Sequence, residues 1–124
     1  MNSKKFLRVG GAVLIVLGVL GFVRVLGPTP EASIFGATWW SDNGESWGHL
    51  ILGIVALIGA YAFDADPQKT LATILGTILV LVGLYGIFNG NFLGVSLENP
   101  ADTIVHLVIG IWALIATRGR GEVA

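Results

Sequence analysis

One stretch of this chain is written twice, and that duplication limits what the chain can fold into. Residues 42–60 read DNGESWGHLILGIVALIGA and residues 99–117 read NPADTIVHLVIGIWALIAT. Laid on each other, they share an acid four residues before a histidine: Glu45 and His49, Asp102 and His106. Each histidine is followed by Leu, by Gly four places on (Gly53, Gly110), and then by Ala-Leu-Ile at 56–58 and 113–115. These are the protein's 2 histidines, and they hold equivalent places.

The stretches preceding these two match as well. Gly11, Gly18 and Gly21 recur with the same spacing as Gly76, Gly83 and Gly86. Two matches in the same order predict a tandem repeat of a helical hairpin, repeat 1 over about 6–63 and repeat 2 over about 70–117. Four apolar runs supply the helices: Val9–Val23, Trp47–Phe63, Leu71–Phe88 and Ile104–Ala116. Each is close to the ~20 residues that cross a bilayer's hydrocarbon once flanking residues are counted. The fourth is the shortest and has to begin near Pro100 to span. Charged residues make up 12% of the chain, about half the share usual in soluble domains. The fold expected is therefore all-α: an integral membrane four-helix bundle of two parallel hairpin repeats, a single domain over 1–124.

Basic residues set the expected orientation. Lys4, Lys5, Arg8, Lys69, Arg118 and Arg120 fall on one side of such a bundle. Arg24 falls on the other, with Glu31, Asp42, Glu45, Glu98 and Asp102. Both termini are then cytoplasmic, and the two histidines lie at the outer ends of their helices. The parallel hairpins are related by a pseudo-two-fold axis along the membrane normal. Lys4, Lys5 and Arg8 ahead of an apolar run also resemble a signal peptide, but the later partner of that run favours a retained first helix. Trp39, Trp40 and Trp47 read as an aromatic belt at the outer interface, with a partner-docking surface as the alternative. The segment 64–69, DADPQK, reads as a tight inner turn before helix 3, and the tail from Arg118 as a short polar end.

Asn99-Pro100-Ala101-Asp102 has the form of a capping box, with Asn99 at the N-cap, and Asp42-Asn43-Gly44-Glu45 repeats it. Both acids therefore have a structural reason to be there, reinforced by the helix dipole. A histidine four residues after an acid shares its helix face. That face continues through Gly53, Ala56 and Ala60 after His49, and through Gly110, Ala113 and Thr117 after His106. Small residues at this spacing let helices approach closely in lipid, so both imidazoles should point into the bundle. Three readings stay open. Each imidazole can bond its own helix's carboxylate or nearby backbone and pin the bundle. The pair can act as ligands, with Glu45 and Asp102 as further ligands or as acceptors that fix the tautomer; such a set suits zinc, iron or manganese, and the imidazoles alone suit haem. A proton-linked role is the third.

Other classes are disfavoured. There is no cysteine, which removes disulfide and thiolate chemistry. A formal net charge of −1 without a basic cluster argues against nucleic acid. No ionisable residue sits at mid-membrane depth, which disfavours coupled transport. Gly18, Gly21, Gly83 and Gly86, with Gly11, Gly53, Gly76 and Gly110, are packing positions.

On the stretches Asp42–Gly53 and Asn99–Gly110, with N/D-rich starts followed by H-L-x-x-G, the sequence resembles a family of small prokaryotic four-helix membrane proteins of unknown function. The glycine-rich first and third helices fit the same family. The resemblance implies the fold, the topology and a prokaryotic cytoplasmic membrane, and carries over no activity. A weaker likeness in size and helix number to DoxX-type membrane proteins implies a helper subunit of a redox complex. The role expected from the sequence is thus non-enzymatic: a structural or accessory protein in the lipid bilayer, self-associating or attached to a larger complex. The alternative is a metal- or haem-binding protein built on the acid–histidine pairs, and an oligomeric pore comes third.

Overall fold

The computed structural model describes residues 2–92, 94–98 and 100–118. Arg120, the polar tail beyond Arg118 and the expected N-cap Asn99 lie outside the described residues. Four helices follow one another: α1 (Ser3–Phe22), α2 (Asn43–Ala62), α3 (Ala65–Phe88) and α4 (Ala101–Ala116). Between α3 and α4, β1 (Asn91–Phe92) and β2 (Val95–Ser96) form a small antiparallel ladder, Asn91 facing Ser96 and Phe92 facing Val95. Two 3-10 turns, Pro30–Ala32 and Gly36–Thr38, fold the long loop between α1 and α2.

Three helices, α1, α2 and α3, are long and apolar enough to cross a membrane. The 16-residue α4 is apolar but shorter. At 1.5 Å per residue it reaches about 24 Å, less than the ~30 Å hydrocarbon core.

The helix starts follow local chemistry. Asn2 caps α1 by accepting from the Lys5 amide at 2.8 Å. Asp42 caps α2 by accepting from the Glu45 amide at 2.8 Å. The connection between α2 and α3 is tighter than the sequence suggests, because α3 begins at Ala65 and takes in Pro67 and Lys69. A first-turn amide has no intrahelical partner, so proline costs nothing there. The extra turn lets buried Gln68 donate from Nε2 to the carbonyls of Gly59 at 3.2 Å and Ala60 at 3.1 Å. Those carbonyls belong to the last turn of α2, where hydrogen-bond acceptors are left over.

The dominant packing is α1 on α2 and α3 on α4. All eight glycines of the repeated pattern are buried. A Cβ on Gly53 would stand 2.7 Å from the Gly11 carbonyl oxygen and 2.9 Å from the Ile15 amide nitrogen. In the second hairpin, a Cβ on Gly110 would stand 3.0 Å from the Gly76 carbonyl oxygen and 2.9 Å from the Val80 amide nitrogen. The same backbone-to-backbone crossing is thus made twice, at equivalent residues. One level further out, Gly21 lies against the Ser46 side chain and Gly86 against Thr103.

The hairpins meet through Phe6 and Leu7 of α1, Ala56 and Ala60 of α2, Leu75 and Leu79 of α3, and Ala113 and Ala116 of α4. The Phe6 ring meets Trp112 edge-on at 4.9 Å between centroids. Outward positions such as Ile51, Ile58, Leu81, Val108 and Ile115 are apolar and exposed, as a lipid-facing surface requires.

Gly53→Ala should therefore destabilise the protein by about 1–3 kcal/mol, because backbone atoms cannot give way as side chains do. Gly48→Ala, on the same helix with nothing within 4 Å of the added carbon, should be neutral or stabilising by up to about 1 kcal/mol. Thermal unfolding of the two variants in one detergent checks the contrast.

Candidate metal centre

Both acid–histidine pairs sit where α2 and α4 begin, and the bundle closes them on each other. The His49 and His106 ring centroids are 5.8 Å apart, with 51° between ring planes. One ligand atom from each of Glu45, His49 and His106 lies within 4.8 Å of the others. The residues are deeply buried, at 5%, 7% and 5% exposure respectively. Two imidazoles and a carboxylate from two helices therefore face one point.

These groups are short of hydrogen bonds. Apart from the neighbouring Asp102 carboxyl, neither Glu45 carboxylate oxygen has a hydrogen-bond partner, and neither does Nδ1 of His49. The i to i+4 carboxylate–imidazole bond that helical spacing allows is not made in α2. Ser46, next to Glu45, also buries its hydroxyl without a partner. His106 differs in being held against the backbone carbonyl of Asp102. Such a contact on one ring nitrogen orients the other for a ligand. The nearby charges are all negative, since Glu45 has Asp102, Asp42 and Glu98 as its charged neighbours. Among the described residues no basic side chain acts on Glu45 here, and the group sets two imidazoles next to several acids.

Asp102 has a different place from its repeat partner. Its Oδ2 accepts from the Glu98 amide at 2.7 Å, and its Oδ1 from the Trp39 indole nitrogen at 3.0 Å. It braces the start of α4 by reaching back to the Glu98 amide. Pro100, expected at the first helical position, stands instead at the N-cap of α4, so the expected capping box is not formed there. Glu45 leaves that task undone and turns inward, so the structure groups three of the four expected residues and sets Asp102 beside them.

Trp39 makes a long-range contact that the belt pattern alone does not announce. Of the three tryptophans read as an interface belt, Trp47 is 55% exposed and packs on Phe22, with centroids 5.2 Å apart. Trp40 is half-buried. Trp39 instead reaches from the first loop to the second repeat. The Ser33 hydroxyl fixes it by donating to the Trp39 carbonyl at 2.6 Å, and its ring lies 5.4 Å from that of Phe35. No local pattern announces a contact between residues so far apart in sequence. Ser46 did carry a signal, because it is the repeat equivalent of Thr103.

No family model, curated protein or solved structure matches the chain. The chemistry of the site rests on its own geometry.

A buried carboxyl whose nearest polar neighbour is another acid is a burden when nothing is bound. Glu45→Met should raise the stability of metal-free protein by roughly 1–3 kcal/mol, the penalty of an unsatisfied buried polar group. Asp102→Leu should lower it by a similar amount, since it strips two donors of their acceptor. Melting temperatures measured in the presence of a chelator separate the two acids.

Proposed function

We propose that this is a multi-pass membrane protein that holds one divalent transition metal ion between its two hairpins. Glu45, His49 and His106 are the ligands, and Asp102 with Trp39 braces the neighbouring helix start. The observation that carries the reading is the convergence of ligand atoms of Glu45, His49 and His106 within 4.8 Å, where the Glu45 oxygens and Nδ1 of His49 are buried without a donor or a basic partner among the described residues. A histidine pair kept for structure alone would close its hydrogen bonds, because open ones are costly in a bilayer-embedded bundle. That puts metal binding ahead of the purely accessory role.

The donor set and the space available favour an ion. Zinc and iron bind imidazole nitrogen and carboxylate oxygen at about 2.0–2.2 Å, which draws neighbouring ligand atoms to roughly 3.4 Å in a tetrahedron. Side-chain rotation of a fraction of an ångström to about one ångström brings the three residues there. Haem fits less well. The cavity beside the histidines holds about 190 Å³, below the ~300–1,000 Å³ of ordinary cofactor pockets. Two imidazoles with one carboxylate match both zinc and non-haem iron(II) sites, in which protein supplies three ligands and leaves a position open.

In the proposed topology α4 joins α1, α2 and α3 as a fourth, short span. Both termini face the cytoplasm of a prokaryotic cell, and the metal lies near the outer interface on the pseudo-two-fold axis. The basic residues at the inner ends support this orientation.

Elemental analysis of protein purified in mild detergent, without a chelating tag, tests the reading. A transition metal near one per chain is expected. His49→Ala and His106→Ala should each weaken binding by more than about 100-fold, beyond the ~10–100-fold typical of losing a supporting residue. Protein expressed with metals available and recovered without any would sink the proposal.

A further inference from the structure

The three ligand residues line one wall of a cavity whose other walls are almost wholly apolar. Leu52 of α2, Leu79 and Val82 of α3, and Val95 and Leu97 of the β-hairpin segment face Glu45, His49 and His106 across it. Ile78 also lines this space and is 41% exposed on the flank of the bundle. The cavity lies on the seam between α2 and α3, where the hairpins touch far less than the helices within each hairpin do. Gly44 and Gly48 keep the α2 side low, and a Cβ on Gly48 would meet nothing within 4 Å. Polar chemistry is thus confined to one end of a pocket that opens toward the apolar surface of the protein.

We propose that this cavity binds a neutral monocyclic phenol, its hydroxyl oxygen completing the coordination of the metal and its ring seated against Leu79, Val82 and Leu97. The inference rests on the metal reading above and adds the class of molecule that reaches the metal. Size is the first condition: an apolar cavity of about 150 Å³ accepts a benzene ring, and the space beside the three residues holds about 190 Å³. A ring with one or two small substituents fills it. Charge sets the second limit, because an ionic group against leucine and valine walls would lose its hydration without a partner. The three-ligand set sets the third, because a metal held by three side chains leaves a position for one exogenous oxygen. A small phenol meets all three conditions and partitions readily into the lipid beside Ile78.

Cobalt(II) in place of the native metal gives visible bands that report coordination, and 4-methylphenol is the probe. Titration of the cobalt-loaded protein in detergent should change those bands saturably. Toluene, equal in ring and methyl group but without the hydroxyl, should not change them. The charged 4-hydroxybenzenesulfonate should not either. Val82→Trp, or Ile78→Trp where the first variant loses its cobalt spectrum, should leave the starting bands in place and raise the 4-methylphenol needed by at least tenfold. Cobalt bands that 4-methylphenol leaves unchanged would overturn the phenol proposal while the metal reading stands. Equal responses to the sulfonate, or undiminished response in the tryptophan variant, would overturn it too. A chain that takes up no cobalt refutes the metal reading, and this one falls with it.

Discussion

Within each hairpin the helices cross backbone on backbone, where Gly53 meets Gly11 and Gly110 meets Gly76. Helices in lipid gain nothing from burying apolar surface against each other, so contact distance and van der Waals packing decide how they pair. These crossings fix the rotation of α2 and α4 about their own axes. One turn outward from each crossing stands a histidine, at His49 and His106. Once both rotations are set and the hairpins stand together, the imidazoles have little choice but to meet. The site is a consequence of packing at four glycines that touch no ligand.

Stability and chemistry pull in opposite directions at this end of the bundle. Deeper in, small and apolar residues interlock: Ala56, Ala60 and Ala113 are fully or almost fully buried. Near the start of α2 the same helix face carries Glu45, Ser46 and His49 with hydrogen-bonding capacity left unused. Buried polar groups are satisfied nearly everywhere in natural proteins. Several of the exceptions here fall together near the start of one helix. The Trp39–Asp102 hydrogen bond, by contrast, is fully structural and draws the long first loop over the second repeat.

Much of this was legible in the sequence because repetition removes ambiguity. The glycine spacing gave the packing faces, the helical period put each acid and histidine on one side, and the equivalence of His49 with His106 pointed to a shared location. What stayed hidden depends on where loops send the chain. Nothing local distinguishes Glu45 from Asp102 as helix starters. They diverge because the indole of Trp39 and the amide of Glu98 reach only the second. The start of α3 was misplaced for a similar reason, since Pro67 reads as a turn until Gln68 is seen bonding back to the end of α2. The two-residue strands between α3 and α4 are too short to leave a period.

The unequal fates of Glu45 and Asp102 bear on how such a molecule came about. A lone hairpin of this type could pair with a second copy of itself, and both acids would then be identical by symmetry. Each would have to serve as helix cap and ligand at once, or both would abandon one of the tasks. Fusing two copies into one polypeptide lifts that restriction. One acid can then close a helix start while its twin is freed from that task, and an indole can evolve on one side alone. The halves have become complementary, and neither doubled first half nor doubled second half would rebuild the same pocket.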